Sequence, residues 1–220
     1  SKGSSLQWTL FEYCCAPDSK LSAMFVHRGH RAFRLCLPDV DMLLLANQEE
    51  VKSQVMSEVH QGRCVLIWAS LPCTGWCRWQ SINEALARER GPEALQAYLQ
   101  HLQQLRDESH RLLQGLKHVL GSCLKSDAVF VAFEWPAYNL GWHDSEMQLL
   151  LHWMPHQALV DACRVNLKAK GCAVSKRWRI VTNLVPLARK LDSLRCHCPN
   201  SASHVQCRGQ VAKRSVFYTE

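Results

Sequence analysis

Long hydrophobic runs are missing from this chain. No stretch approaches the ~20 consecutive apolar residues that span a bilayer, and the polar start Ser1-Lys-Gly-Ser-Ser5 is no secretory leader. Neither a membrane span nor a signal peptide is expected, and the opening residues read as an excerpt of a longer protein. Internal repeats and low-complexity tracts are also absent, which excludes solenoids and biased linkers. Acid is scarce in the last quarter. From Arg164 onward only Asp192 and Glu220 are acidic, against basic residues such as Lys168, Lys176, Arg177, Arg179, Arg189 and Lys213.

What is present suits one α/β domain with a small appendage: 220 residues, 47% hydrophobic and 20% charged. The net charge of +7 fits a polyanionic partner without requiring one. The basic carboxyl-terminal quarter is a reasonable footprint for a phosphate backbone; a solvated basic face is the alternative. Twelve cysteines in a chain this long argue less for a disulfide scaffold than for reduced thiols. Cys36, Cys64, Cys123, Cys163 and Cys172 lie in or beside apolar segments, as buried thiols do. An intracellular, reducing compartment, nuclear or cytoplasmic, is expected.

The stretch from Cys64 to Gln80 organises the rest. Cys64-Val-Leu-Ile-Trp68 is short, apolar and uncharged, the pattern of a strand buried on both faces in a parallel sheet. It runs into Pro72-Cys73-Thr74-Gly75, a turn that sets a thiol at the strand's carboxyl end, where open α/β sheets bind ligands. Ala128 to Phe133 is a second uncharged strand, and it leads into Glu134-Trp135-Pro136. A carboxylate at the mouth of an apolar strand is costly unless paired or used. Arg177 and Arg179, two apart at the start of a later strand, share one face.

Around these segments the spacing predicts a first strand over Leu6 to Tyr13, a helix over Lys20 to Val26 and a strand over Ala32 to Leu37. A helix over Gln48 to His60 follows. After Gly91-Pro92, leucines at helical spacing from Leu95 to Leu120 predict a long core helix that Gly121 closes. Ser145 to Trp153 reads as a helix, Leu159 to Ala162 and Trp178 to Thr182 as strands. The alternation is the α/β signature.

In these residues the chain resembles the cytosine-C5 methyltransferases. Pro72-Cys73 after a hydrophobic strand is similar to their Pro-Cys motif, and Phe133-Glu134-Trp135-Pro136 to their Glu-Asn-Val motif. Ser175-Lys176-Arg177-Trp178-Arg179 is similar to Gln-x-Arg-x-Arg, and Leu10-Phe11-Glu12-Tyr13-Cys14-Cys15 stands where the family has Asp-Leu-Phe-x-Gly-x-Gly-Gly. The same four segments, in this order, also resemble a compact domain associated with retroelement polyproteins.

The resemblance implies a Rossmann-like sheet with helices on both faces over residues 1–183, and a basic Cys/His-rich extension over 184–220 packed on it. It implies S-adenosylmethionine as cofactor and nucleic acid as partner, DNA ahead of RNA. Cys73 would add to C6 of a cytosine and Glu134 would hydrogen-bond N3. Arg179, with Arg177 as second choice, would hold O2 or a phosphate. Phe11, Glu12, Cys15, Asp18, Ser19, Asp39 and Asp41 are the candidate cofactor contacts. Pro72, Trp76, Trp79 and Gln80 are the candidate contacts to a base taken out of its stack. Glu12 equally suits a partnered acid, Asp39 and Asp41 suit surface turns, and Trp76 and Trp79 suit ordinary loop packing.

The departures matter as much. Cys15-Ala16-Pro17-Asp18 replaces the glycine-rich turn that lets backbone approach the cofactor. Ser175 replaces the glutamine. Thr182 is followed by too little chain for a large target-recognition domain. Two other readings stay open: a degenerate methyltransferase fold that only binds nucleic acid, and another cysteine-dependent enzyme with a histidine base. Finally, Cys196, Cys198, His204 and Cys207, with His197 in reserve, could make a tetrahedral zinc site. Their spacing fits no common finger.

Overall fold

Uncharged apolar runs form the centre of the molecule, because only strands covered on both faces bury every side chain of such a run. The computed structural model describes residues 6–198, 204–207 and 211. Its main sheet has six strands: β1 (Trp8–Tyr13), β2 (Arg31–Leu35), β3 (Cys64–Ala69), β4 (Val129–Pro136), β5 (His156–Asp161) and, skipping two short strands, β8 (Arg177–Thr182). The spatial order is β2-β1-β3-β4-β8-β5. β1 pairs in parallel with β2 and β3, and β3 pairs in parallel with β4. Only β8 runs antiparallel, inserted between β4 and β5.

Helices connect the strands and cover both faces. On one side lie α2 (Leu45–His60), the second half of α4 (Pro92–Cys123) and α5 (Ser145–Leu151). Leu112, Leu113, Leu116, Val119 and Leu120 from α4 meet Phe11, Ile67, Val131, Phe133 and Trp135 from the sheet. Each such large apolar group contributes about 2 kcal/mol by leaving water. The other side is covered by α1 (Lys20–His27), α6 (Val185–Asp192) and a small second sheet of β6 (Lys168–Ala169), β7 (Cys172–Ser175) and β9 (His204–Gln206). β9 pairs in parallel with β7, so His204–Gln206 are woven into the fold.

Several expectations shift in detail. The leucine stripe of α4 meets the sheet in its second half; in the first half Leu102 is buried but Leu99 is exposed, and that half carries α3 (Gln80–Glu89). Gly121 does not end α4, which continues to Cys123. Cys36 and Cys123 are buried, but Cys172 is exposed on β7. No disulfide forms among the described residues. Long as α4 is, no described helix is long and apolar enough to cross a membrane.

Two buried carboxylates fix the strand ends. Glu58 of α2 accepts from the Thr9 hydroxyl at 2.6 Å and pairs with Arg63 at 3.0 Å and Arg31 at 3.3 Å. Glu12 accepts from the hydroxyls of Ser19 and Ser22, both at 2.6 Å, which pins the start of α1 beneath β1.

Gly141 shows how closely the far end of β4 is fitted. A Cβ there would lie 2.5 Å from Cζ3 of Trp135, 2.9 Å from Cγ of Trp76 and 2.9 Å from Oδ1 of Asn139. Two of these atoms belong to rings packed in or against the core, so relief requires moving them. Gly141→Ala should destabilise the protein by about 1–3 kcal/mol in urea denaturation monitored by tryptophan fluorescence. A variant as stable as the parent would contradict this packing.

Candidate functional site

The chain leaves β1 toward β2, then crosses back past β1 to reach β3. The order therefore reverses between β1 and β3, and ligands of open α/β sheets sit beyond the carboxyl ends of strands at such a switch point. A cleft of about 220 Å³ lies there. Its walls come from the turn after β1 (Cys14, Cys15), the end of β2 and the loop after it (Leu35, Cys36, Asp41, Met42), Pro72 after β3, and Glu108 and Leu112 of α4. The lining is apolar with two acids and three thiols.

The turn after β1 is tight without glycine. Cys14 adopts the left-handed conformation, φ 58°, and its N–H bonds the Leu35 carbonyl at 2.9 Å. This conformation costs a non-glycine residue about 1–2 kcal/mol, which the flanking sheet supports. Burial pushes the Cys14 and Cys15 thiols up to about 12, with the Glu12 charge and Cys36 adding to the effect on Cys15. Both are neutral wall groups.

Of the residues assigned to a cofactor, Cys15 and Asp41 line this cleft. The others sit elsewhere. Phe11 is fully buried and stacks on Phe33 with centroids 4.8 Å apart. Glu12 is the partnered acid described above, and Ser19, bonded to it, caps α1. Asp18 and Asp39 are exposed, off the walls of the cleft.

Cys73 and Glu134 reach the same edge. The strands before them, β3 and β4, are parallel neighbours in the register Trp68↔Ala132 and Ala69↔Phe133. Their carboxyl ends therefore emerge together. Burial pushes the Cys73 thiol up; the Lys176 charge opposes that, while Cys77 and the Glu134 carboxylate add to it. Thiol, carboxylate and ammonium are thus within electrostatic reach of one another. No histidine is among these groups, and the cation acting on the sulfur is Lys176, which sequence reasoning passed over as a spacer in the arginine motif.

The Pro-Cys loop is held from several sides. Trp135 Nε1 donates to the Leu71 carbonyl at 2.8 Å, and Asn139 Nδ2 to the Cys73 carbonyl at 3.1 Å. Trp76 donates to Ser109 at 3.0 Å, stacks on His110 and lies under Arg106. Gln80 is buried, donates to the Thr74 carbonyl at 2.7 Å and is held by Tyr98. Trp76 and Gln80 are therefore committed to the loop's framework. Trp79 is 46% exposed and Pro72 is exposed on the cleft wall.

The two arginines do share a face, but not that of Glu134. Arg179 is in register with Trp135, and Glu134 with Ile180, so alternation sends Arg179 and Glu134 to opposite faces. Arg179 lies 4.5 Å over the Trp142 ring, with its Nε buried and unbonded among the described residues. Arg177 grips Asp161 with Nε at 2.7 Å and a second nitrogen at 3.0 Å. That pair also receives the backbone N–H of Cys196 at 2.8 Å.

A second cluster lies beside it. Ligand atoms of Cys163, Cys196, Cys198 and His204 all fall within 4.8 Å of one another and can hold a metal ion. This corrects one member of the expected set. Cys163, in the turn after β5, stands where Cys207 was expected, and Cys207 packs against the apolar face beneath the small sheet. Cys163 is far upstream of the other three, so no spacing rule along the tail could have found it.

What these observations define is a mixed α/β domain with a thiol and a carboxylate on one sheet edge, a cleft at the switch point, and a Cys/His cluster tying down the tail. No family model, curated protein or solved structure matches the chain.

The Cys73 environment has a measurable consequence. Alkylation of Cys73 by iodoacetamide, followed by peptide mass spectrometry across pH, should give a midpoint above that of a free cysteine. Lys176→Ala should move it higher still, because the charge that favours the thiolate is gone. A midpoint at or below the free-thiol value would contradict this geometry.

Proposed function

We propose that this domain is a Rossmann-type, cytosine-C5 methyltransferase-like protein acting on nucleic acid, with Cys73 as nucleophile. The observation that carries the reading is the convergence of Cys73 and Glu134 at one edge, next to the switch-point cleft. A sulfur adds to C6 of a pyrimidine only when the charge pushed onto the ring is absorbed. A carboxyl group hydrogen-bonded at N3 does this. Lys176 favours the thiolate at the moment of attack.

The cleft supports a nucleoside-like cofactor. Leu35, Met42 and Leu112 offer apolar walls to a purine, Asp41 an acceptor for a ribose hydroxyl, and Glu108 a negative charge toward a cationic group. Bound S-adenosylmethionine supplies an electrophilic methyl group. At about 220 Å³ the cleft is smaller than the ~300–1,000 Å³ of ordinary ligand sites. That size, with the replaced glycine turn, favours the second reading, a nucleic-acid-binding module of this fold without turnover.

The metal cluster is read as zinc. Three thiolates and one imidazole suit that ion. Zn–S bonds of about 2.3 Å and Zn–N bonds of about 2.0 Å set a tetrahedral sulfur–nitrogen pair about 3.5 Å apart, and Cys196 Sγ lies 3.7 Å from His204 Nε2.

Isothermal titration with S-adenosylmethionine should show saturable heat, and its absence would leave only the binding module. An oligonucleotide carrying 5-fluorocytosine should form a covalent adduct, because fluorine cannot leave C5 as a proton does. Cys73→Ala should abolish the adduct and Cys77→Ala should not; no adduct with the parent would overturn the nucleophile. Elemental analysis should find one zinc per chain, lost in Cys163→Ser and kept in Cys207→Ser. The reverse pattern would restore the set first read from the sequence.

A further inference from the structure

The rim around Cys73 carries two exposed aromatic side chains, one of them under an arginine. Tyr138, two residues past β4, is 60% exposed, and Trp79, in the loop after the Pro-Cys turn, is 46% exposed. Arg78 lays its guanidinium 5.5 Å from the centre of the Tyr138 ring, and Arg177 makes a long contact of 3.5 Å to the Tyr138 hydroxyl. The next residue, Asn139, is buried and bonded to the carbonyl of Cys73. Tyr138 is therefore attached rigidly to the loop that bears the thiol. Its ring is braced by one cation and oriented by another, yet most of it faces solvent.

We propose that Tyr138 and Trp79, flanked by Arg78 and Arg177, form a stacking platform for single-stranded nucleic acid, engaging unpaired bases that flank the target position. The proposal rests on the reading of Cys73 as a site for a nucleic-acid base. Two observations select this occupant. Arg78 brings a cation to the Tyr138 ring, Arg177 being paired with Asp161, so the patch complements a polyanion better than an apolar protein surface. A flat ring that is open to solvent can stack only on a base already out of its duplex, whereas a paired base hides both its faces. Stacking of this kind tolerates any base, so the platform sets strandedness and not sequence.

The residues committed elsewhere sharpen the assignment. Trp76, the other tryptophan of the loop, has His110 on its ring and Arg106 over it, and bonds Ser109 through its indole nitrogen. It contributes to the framework, which leaves the exposed pair to meet the ligand.

The test is fluorescence anisotropy of the full chain with a labelled single-stranded oligonucleotide and with its duplex, over a range of salt. The parent should bind the single strand at least tenfold more tightly than the duplex. Tyr138→Ala and Trp79→Ala should each weaken single-strand binding by about 5- to 100-fold, the range of one lost base–ring stack. Tyr138→Phe should retain binding, because the ring and not the hydroxyl carries it. Arg78→Ala should lower the slope of log affinity against log salt by about 0.7, one phosphate's worth on a single strand, while the ring variants leave the slope unchanged.

Equal affinity for duplex, or parental affinity in both ring variants, overturns the platform. The second result would assign the rings to a protein contact. Tyr138 is mostly in solvent and Trp79 about half so, and thermal melting checks that both variants fold. An oligonucleotide bound through the rings but never trapped on Cys73 would sink the methyl-transfer reading and leave this one standing. Full trapping with Tyr138→Ala at unchanged affinity would do the opposite.

Discussion

The parallel pairing of β3 between β1 and β4 is the constraint on which everything else depends. Parallel neighbours end at the same edge, so whatever follows them in sequence is delivered to one place. The turn after β1 supplies wall groups of the cleft, the turn after β3 supplies Cys73, and the last turn of β4 supplies Glu134 and then Tyr138. A one-residue slip would send each inward side chain to the other face. The buried rows of Phe11, Ile67, Val131 and Phe133 on one face and Leu10, Leu66 and Ala132 on the other make that slip prohibitively costly.

The second constraint is the reversed strand. β8 enters between β4 and β5 from the opposite direction, so its amino-terminal end lies at the same edge as the carboxyl end of β4. Lys176, at the entry to β8, thereby acts electrostatically on the Cys73 thiol. The same reversal places Arg177 against Asp161 of β5, and Asp161 holds the backbone of Cys196. One ion pair thus connects the rim of the candidate site to the Cys/His cluster, through groups that are individually ordinary.

Much of the fold was legible because its strands are uncharged and short. Cys64 to Trp68 and Ala128 to Phe133 have no other way to bury every side chain, and Cys73 and Glu134 follow them at one sheet edge. What stayed hidden has physical reasons. α3 is short, and its larger apolar residues, Ile82 and Leu86, are exposed and not in the core. β6, β7 and β9 are two to four residues long, too short to show alternation. Cys163 joins Cys196, Cys198 and His204 through a fold-dependent approach across many residues. Glu12, by its place in the first motif, suited a ligand contact or a partnered acid; two serine hydroxyls about one helical turn apart make it the partnered acid. Arg179 was placed with Glu134 by motif, and the alternation of β8 separates them.

The account's central claim is that a sulfur and a carboxylate share one rim closely enough to act on a single ring. Substituting Glu134 by glutamine removes a negative charge and keeps the shape. If the two groups converge, the thiol titration of Cys73 in Glu134→Gln, followed by ultraviolet absorbance difference against a Cys73→Ala background, moves to lower pH than in the parent. A titration that does not move would place the carboxylate out of reach and contradict the account.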